Sequence, residues 1–272
     1  MMAPSWWRGL PALAIAIFFG SCTPAYSAES PEMAILPGGK FLRFFVPRRS
    51  SKQGNQESAK RLPIVLPTFL MDRLPVTNSD YFRFVQANPK WAKSSIAPIF
   101  ADPSYLKHWS SNASFGPPEN GNRPVTHVSW FAAKAFCQWQ GKALPSTDQW
   151  EYAAQNRNQD LDGIRKRILA WYSKPNSDVL PEVGVSAPNS YGIHDLHGVI
   201  WEWTSDFSST MIGAEIRDSG VNDDNLFCGA GSLGALDPSD YATFMRFSFR
   251  ASLSAAFTTA NLGFRCAKEL EK

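Results

Sequence analysis

The stretch that most restricts how this chain can fold is residues 191–207, with the sequence YGIHDLHGVIWEWTSDF. Within it Trp201, Glu202 and Trp203 alternate between apolar and acidic side chains, which is the two-residue period of a β-strand. Neighbouring side chains of a strand point to opposite faces, so the two tryptophans are predicted to share one face and Glu202 to occupy the other. Since large aromatic side chains are mostly buried, the strand is predicted to lie against the core.

Three short helices are predicted from side chains that suit the capping position just before a helix. The predicted caps are Thr77 or Asn78, Ser129 and Ser146. The last of these has Gln149 three residues later, which is the pattern of a capping box. The chain also contains 20 Pro and 18 Gly, so short helices and strands joined by many loops are expected.

The amino-acid composition excludes a disordered chain and gives no support to a nucleic-acid-binding function. A hydrophobic share of 44% in 272 residues excludes general disorder and is sufficient for a substantial core. The 27 basic and 24 acidic residues give a net charge of +3, so charge provides no argument for a nucleic-acid partner.

The N-terminus has the pattern of a secretory signal peptide. Arg8 is the one charged residue within residues 1–28, and the apolar run that follows it at 10–19 is too short to span a bilayer. A small-x-small cleavage pattern ends at Ser27, so residues 1–28 are predicted to be a signal peptide and no transmembrane span is expected. A second interpretation is a lipid anchor at Cys22, which ends a loose lipobox. Both interpretations place the mature chain in the periplasm or elsewhere outside the cytoplasm.

Residues 189–206 have the sequence N-S-Y-G-I-H-D-L-H-G-V-I-W-E-W-T-S-D, which resembles a signature of formylglycine-generating enzymes and other sulfatase-modifying factors. The runs at 33–41, 144–154 and 261–267 resemble further segments of the same family. The resemblance implies an α+β fold related to C-type lectins, loop-rich with short helices and small sheets. It also implies that residues 29–272 form a single domain, which opens with a hairpin at 33–41.

The chemistry of the catalytic family depends on two cysteines, spaced C-x4-C after an R-G-G-S-W run, that bind copper(I) through their thiolates. In this chain Ala235 and Asp240 stand at about those positions, and neither can supply a thiolate. Formylglycine formation is therefore not expected. Val199 replaces the asparagine that helps to hold calcium in the family, which argues against a calcium site.

The remaining cysteines divide into a pair and a single residue. Cys137 and Cys266 match a disulfide of the family, so the resemblance implies that they are bonded. Cys228 is then left over, and three interpretations stay open for it: buried and inert, bonded to a partner, or a metal ligand.

The functional surface is predicted around the segment that replaces the catalytic cysteines. Its candidate catalytic residues are Cys228, Ser232, Asp240, Tyr241 and Arg246, and its candidate binding residues are Trp130, Trp201 and Glu202. Candidate metal ligands are Cys228, His194 and His197, with copper as the metal that this set suits. For the two histidines the alternative is a hydrogen-bonded structural role, and for Glu202 the alternative is to satisfy buried backbone groups.

Three functions are compatible with these observations. The first is an exported accessory or maturation factor for an envelope enzyme, because the chain resembles exported family members associated with copper-dependent nitrite reduction. The second is a metal-dependent oxidoreductase with an altered active site that acts on a peptide or a peptide-derived metabolite. The third is a lectin-like module that binds a ligand without catalysis.

Overall fold

The computed structural model describes residues 32–44, 62–155, 157, 161–174, 179–207 and 241–270. Within these ranges the chain forms five α-helices, seven short strands and two single-turn 3-10 helices. The strands are β1 (Met33–Leu36), β2 (Gly39–Phe41), β3 (Ile64–Leu66), β4 (Phe69–Asp72), β5 (Trp201–Glu202), β6 (Leu262–Gly263) and β7 (Ala267–Glu269). The helices are α1 (Asn78–Ala87), α2 (Trp130–Trp139), α3 (Thr147–Ala154), α4 (Leu161–Tyr172) and α5 (Tyr241–Ala251), with the 3-10 turns at Pro89–Trp91 and Pro118–Asn120.

The prediction of a hairpin at 33–41 is wrong. Strand β1 pairs with β4 and β2 pairs with β3, both antiparallel and in one continuous register that runs from Met33 opposite Asp72 to Phe41 opposite Ile64. Gly38 therefore does not form a turn between two paired strands. It has a φ of 71°, and an added Cβ would come within 2.5 Å of the Leu66 carbonyl oxygen, so glycine is needed here for a close approach of two backbones.

Two further strand pairs bring the C-terminal segment into the fold. Strand β7 extends the first pair into a three-stranded sheet of order β1-β4-β7, and β6 pairs with β5 in parallel. The predicted disulfide between Cys137 and Cys266 is confirmed, with the two Cα atoms 5.6 Å apart. It joins helix α2 to the chain between β6 and β7. The C-terminal segment is thus held by backbone pairing on both sides of a covalent link.

The predicted helix starts are confirmed. Thr77 accepts a hydrogen bond from the amide of Asp80 in a complete capping box, and Ser146 forms the same arrangement with Gln149. Ser129 caps α2 through its side-chain oxygen. These bonds join residues three apart in the chain, which is why the sequence alone located them.

The apolar side chains form two buried clusters. The first surrounds Tyr81, Phe136 and Trp203 and includes the disulfide. The second surrounds Trp150 and includes the buried apolar residues of β1 and β4. Trp203 is fully buried, whereas Trp201 is only partly buried and packs against the edge of the first cluster. The predicted strand therefore does lie against the core.

Helix α5 was not predicted from the sequence. Its buried residues include Thr243, Arg246 and Arg250, so its inner face carries charged side chains in place of a continuous apolar stripe. Among the helices of the described ranges, none is long and apolar enough to cross a membrane.

Candidate functional site

The site is built around Glu202, which strand β5 turns into the interior. Both carboxylate oxygens accept hydrogen bonds from Arg265, one from Nε and one from Nη2, each at 2.8 Å. The indole Nε1 of Trp150 donates a further bond of 2.7 Å to the same carboxylate. The hydrogen bonds of the Glu202 carboxylate thus come from two side chains. The alternative role, in which Glu202 satisfies buried backbone groups, does not match these contacts.

Arg265 is completely buried and joins three separate segments of the chain. Its Nη1 donates to the backbone carbonyls of Asp72 and Arg73, at 3.2 Å each, and its Nη2 donates to the carbonyl of His194 at 2.9 Å. A guanidinium can form this many bonds because it presents five N–H donors in a fixed plane. Arg265 thus fixes the position of Glu202 relative to strand β4 and to the loop before β5.

A second buried acid, Glu151 on helix α3, is less completely paired. One of its oxygens accepts a 2.9 Å hydrogen bond from the amide of Phe44. The other lies 3.8 Å from Nη1 of Arg250, which is an ion pair without a hydrogen bond. Burial raises the pKa of the Glu151 carboxyl, and the nearby charge of Arg250 opposes that rise.

Two arginines of helix α5, Arg246 and Arg250, project into the same interior. They are 6% and 9% exposed, and the guanidinium of Arg246 lies over the ring of Trp150 with its Cζ 3.4 Å from the ring centroid. Burial, followed by the neighbouring charge of Arg250, lowers the pKa of Arg246 to about 10. In the described part of the chain, Nε of both arginines and Nη1 of Arg250 have no hydrogen-bond acceptor.

These arginines line a small cavity with aromatic walls. Its lining residues are Trp201, Glu202, Trp203, Phe207, Arg246, Phe249, Arg250 and Leu253. The ring of Trp201 packs on Phe249 at a centroid distance of 4.3 Å and stacks on Tyr172 at 5.6 Å, so one wall is made of packed aromatic rings. The enclosed space is about the size of one water molecule. A small anionic group is the chemistry that two buried guanidiniums favour at this position.

His194 has the geometry of a structural residue. Its Nδ1 lies 2.8 Å from the carbonyl oxygen of Ser186, and because a carbonyl can only accept, Nδ1 is the donor. The neighbouring Asp195 accepts hydrogen bonds from the amides of Gly184 and Ser186. Both side chains thus order the loop before β5. Among the described residues, no three His, Cys, Asp or Glu side chains are grouped so that they could hold a metal ion.

His197 lies among aromatic rings. Its ring is 5.4 Å from that of Trp150 in an edge-to-face arrangement and 6.3 Å from that of Phe44. Both ring nitrogens are buried and have no hydrogen-bond partner in the described ranges. Burial lowers the pKa of His197 well below the usual 6.5, and the positive charge of Arg246 adds to this effect. His197 is therefore neutral at pH 7.

Replacing His197 by phenylalanine should change the free energy of unfolding at pH 7 by no more than about 1 kcal/mol, because an aromatic ring of similar shape fills the same space. In wild type the unfolded chain takes up a proton at His197 more readily than the folded chain, so stability is lost as the pH falls below 6.5. Urea unfolding at pH 7 and pH 5 should show a fall about 1–2 kcal/mol larger in wild type than in His197→Phe. If the free energy of unfolding fell equally in the two proteins between pH 7 and pH 5, this account of His197 would be contradicted.

The structure brings together some of the predicted site residues. Trp201, Glu202 and Arg246 line the one cavity described above. Trp130 lies next to it, since its ring is 5.9 Å from that of Phe207, a lining residue, while its Nε1 donates to the Thr204 carbonyl. That these residues bind a ligand stays a prediction.

Other predicted residues lie apart or outside the described ranges. Tyr241 is half exposed at the first turn of α5 and does not line the cavity. Predictions that fall outside the described residues concern the signal peptide, Cys22, Cys228, Ser232, Ala235 and Asp240. Arg250 was not among the predicted site residues, although its position four residues after Arg246 is the spacing that places two side chains on one helical face.

The chain is similar to known proteins over most of its length. Residues 19–270 match the model of the sulfatase-modifying factor enzyme 1-like domain. The chain is 27% identical to inactive C-alpha-formylglycine-generating enzyme 2 of Mus musculus over 88% of this chain and 86% of that protein. It is 26% identical to the formylglycine-generating enzyme of Mus musculus, over 80% of this chain and 70% of that protein. The solved structure of PvdO from Pseudomonas aeruginosa, at 18% identity, covers 88% of this chain and 95% of its own with a TM-score of 0.47.

Proposed function

The chain belongs to the sulfatase-modifying factor enzyme 1-like family, and we propose that it acts outside the cytoplasm as an accessory or maturation factor for an enzyme of the bacterial envelope, without generating formylglycine. The protein binds a peptide segment of that enzyme, and a copper enzyme is the target that the resemblance to exported family members favours. The mature domain begins after residue 28 in this proposal.

One observation carries the binding role. The cavity beside strand β5 is lined by two buried arginines and by aromatic side chains, which suits recognition of a polar partner group. It presents no thiol among the residues that line it. Ala235 and Asp240 stand where the catalytic family has its copper-binding thiolates. The chain therefore lacks the two copper ligands that the family uses to oxidise a cysteine.

Similarity to a protein named as an inactive formylglycine-generating enzyme supports the same view. That relative matches the chain over most of its length, so loss of the reaction with retention of the fold has a parallel within the family. The cavity described above is about the size of one water molecule, so it does not itself support the lectin-like alternative. The oxidoreductase alternative would depend on Cys228, outside the described residues.

The absence of the reaction is tested with a peptide that contains C-x-P-x-R. Incubated with this protein, copper(I) and oxygen, the peptide should be recovered unoxidised, because no pair of thiolates is available to hold copper beside it. Mass spectrometry detects formylglycine as a change in the mass of the cysteine residue. A catalytic formylglycine-generating enzyme under the same conditions is the positive control, and formylglycine produced by this protein would refute the proposal.

The accessory role is tested by deleting the gene in the host. Deletion of the gene should lower the activity of a copper-dependent envelope enzyme, and the wild-type gene should restore it. If the activities of the envelope copper enzymes were unchanged in the deletion strain, a copper enzyme would be ruled out as the target.

A further inference from the structure

Helix α2 is apolar around most of its circumference, yet one of its sides faces solvent. Its buried side is formed by Ala132, Ala133, Phe136 and Cys137. The helix contains one charged residue, Lys134, and its solvent side also carries the aromatic rings of Phe131 and Trp139. A helix that is apolar on all sides is ordinarily covered on all sides. The solvent side of α2 therefore lacks, among the described residues, the cover that such a helix usually has.

A series of ring contacts extends this apolar surface beyond the helix. The ring of Phe100 lies 5.5 Å from that of Phe131 and 5.7 Å from that of Trp91, and the buried ring of Phe84 contacts those of Trp91 and Trp139. Phe100 is 41% exposed and Trp139 is 38% exposed, so these rings meet water. The exposed and partly exposed side chains form an aromatic face, which consists of Trp91, Ile99, Phe100, Phe131, Lys134 and Trp139. A contiguous apolar surface of this kind marks a site of contact with a protein or a membrane.

Lysines provide nearly all of the charge around the aromatic face. Residues 88–109 and helix α2 together contain four lysines and one acidic residue, Asp102. The carboxylate of Asp102 accepts hydrogen bonds from the amides of Ser104 and Thr258 and from the Thr258 hydroxyl, so it is held within the fold. The surface is thus positively charged as well as apolar, and this charge favours a partner that is negatively charged.

The lysines are placed on the rings themselves. The ammonium group of Lys90 lies 5.9 Å from the ring centroid of Trp91, and that of Lys134 lies 4.8 Å from the ring centroid of Trp130. Both lysines are exposed. Aromatic rings that sit at the level of lipid headgroups, with lysines beside them that pair with anionic headgroups, are the combination that a membrane surface binds.

We propose that the aromatic face binds the surface of a membrane that contains anionic lipids. The rings and Ile99 enter the headgroup layer, and Lys90 and Lys134 pair with lipid phosphates. A second copy of the chain suits this face less well, because it would bring two lysine-bearing surfaces together. The predicted export is compatible with this contact. The described residues begin at 32, so a lipid anchor at Cys22 would leave a tether of at most about 35 Å between the domain and a membrane.

The test is cosedimentation of the mature protein, purified from residue 29 so that no lipid is attached, with vesicles. Vesicles of equal parts phosphatidylcholine and phosphatidylglycerol should bind the protein at least about 10-fold more tightly than vesicles of phosphatidylcholine alone, because each lysine near an anionic surface contributes about 5-fold in affinity. Salt at about 1 M should weaken binding to the anionic vesicles, since it shortens the screening length to about 3 Å.

Ile99→Ser tests the apolar part of the contact. Ile99 is 74% exposed, so the substitution removes apolar surface without opening the core. Binding to the anionic vesicles should weaken by at least about 5-fold, because less apolar area leaves water on contact. Ile35→Ser is the matched control, since Ile35 is 66% exposed on strand β1, outside the aromatic face, and it should bind like wild type. Circular dichroism checks that both variants are folded.

Lys134→Gln tests the charged part. It should weaken binding to the anionic vesicles by about 5-fold and leave binding to phosphatidylcholine alone unchanged, because the lost attraction is to anionic headgroups. Lys268→Gln is the matched control. Lys268 is an exposed lysine of strand β7, outside the aromatic face, and its replacement should change the affinity by less than about 2-fold.

The membrane contact goes beyond the accessory role and can fail without it, since the deletion strain tests that role alone. Three results would overturn the membrane contact. They are equal affinity for the two kinds of vesicle, equal affinity of the Ile99→Ser and Ile35→Ser variants for the anionic vesicles, and a dimer in solution that Ile99→Ser dissociates while wild type binds no vesicles. The last result, measured by analytical ultracentrifugation, would identify a second copy of the chain as the occupant of the aromatic face.

Discussion

Replacing Arg265 by methionine is expected to lower the free energy of unfolding by about 3–5 kcal/mol, because the substitution leaves the carboxylate of Glu202 buried without its cationic partner. The Arg265 side chain is completely buried and donates two bonds to Glu202, both of 2.8 Å. It also donates to the carbonyls of Asp72, Arg73 and His194, which would lose a donor in the same variant. Urea unfolding followed by tryptophan fluorescence measures the difference.

The chain offers a matched control for this prediction. Arg43 forms a similar two-bond pair with Asp148, at 2.7 and 2.8 Å, but its side chain is 50% exposed. Because water competes for the charges of an exposed pair, Arg43→Met should lower stability by no more than about 1 kcal/mol. A loss of similar size in the two variants would show that burial does not decide the strength of the Arg265 contact.

Loss of the disulfide between Cys137 and Cys266 should have the second large effect. The bond closes a loop across a sequence separation of 129, and in the chain-entropy model a cross-link of this length stabilises the folded state by about 4–5 kcal/mol. The double variant Cys137→Ala/Cys266→Ala should therefore unfold at a markedly lower urea concentration than wild type. Wild type treated with a reducing agent should approach the same midpoint.

Cys228→Ser is the control for the disulfide, since it removes a thiol and leaves this bond intact. Its unfolding midpoint should respond to reducing agent as that of wild type does. Non-reducing peptide mapping checks the bond directly. Recovery of Cys137 and Cys266 as free thiols from the exported protein would contradict the prediction, as would a midpoint that reduction does not change.

These two predictions concern the same part of the molecule. Cys266 follows Arg265 directly, and its amide donates to the buried carboxylate of Asp72, which also receives a 2.6 Å bond from Lys142. The disulfide therefore holds the segment that positions Arg265, and Arg265 positions Glu202 at the edge of the cavity. Stability and the geometry of the candidate site depend on one buried network.

The sequence by itself determined the features that depend on neighbouring residues or on a long motif. Capping at Thr77, Ser129 and Ser146 is a contact between residues three apart, so it can be identified without knowledge of the fold. The alternation at residues 201–203 indicated a strand against the core. The motif resemblance indicated the family, the α+β fold and the disulfide partners.

Only the tertiary structure decided which distant residues meet. Glu202 and Arg265 are 63 residues apart, and no local pattern indicates that they pair. Strand partners are chosen across the sheet, so the run at 33–41 paired with 64–72 and did not fold back on itself. Arg246 and Arg250 have the spacing of one helical face, but a charged face is ordinarily exposed to water. That it turns inward here, against Trp150 and Glu151, follows from packing between segments far apart in the chain, and this packing creates the cavity.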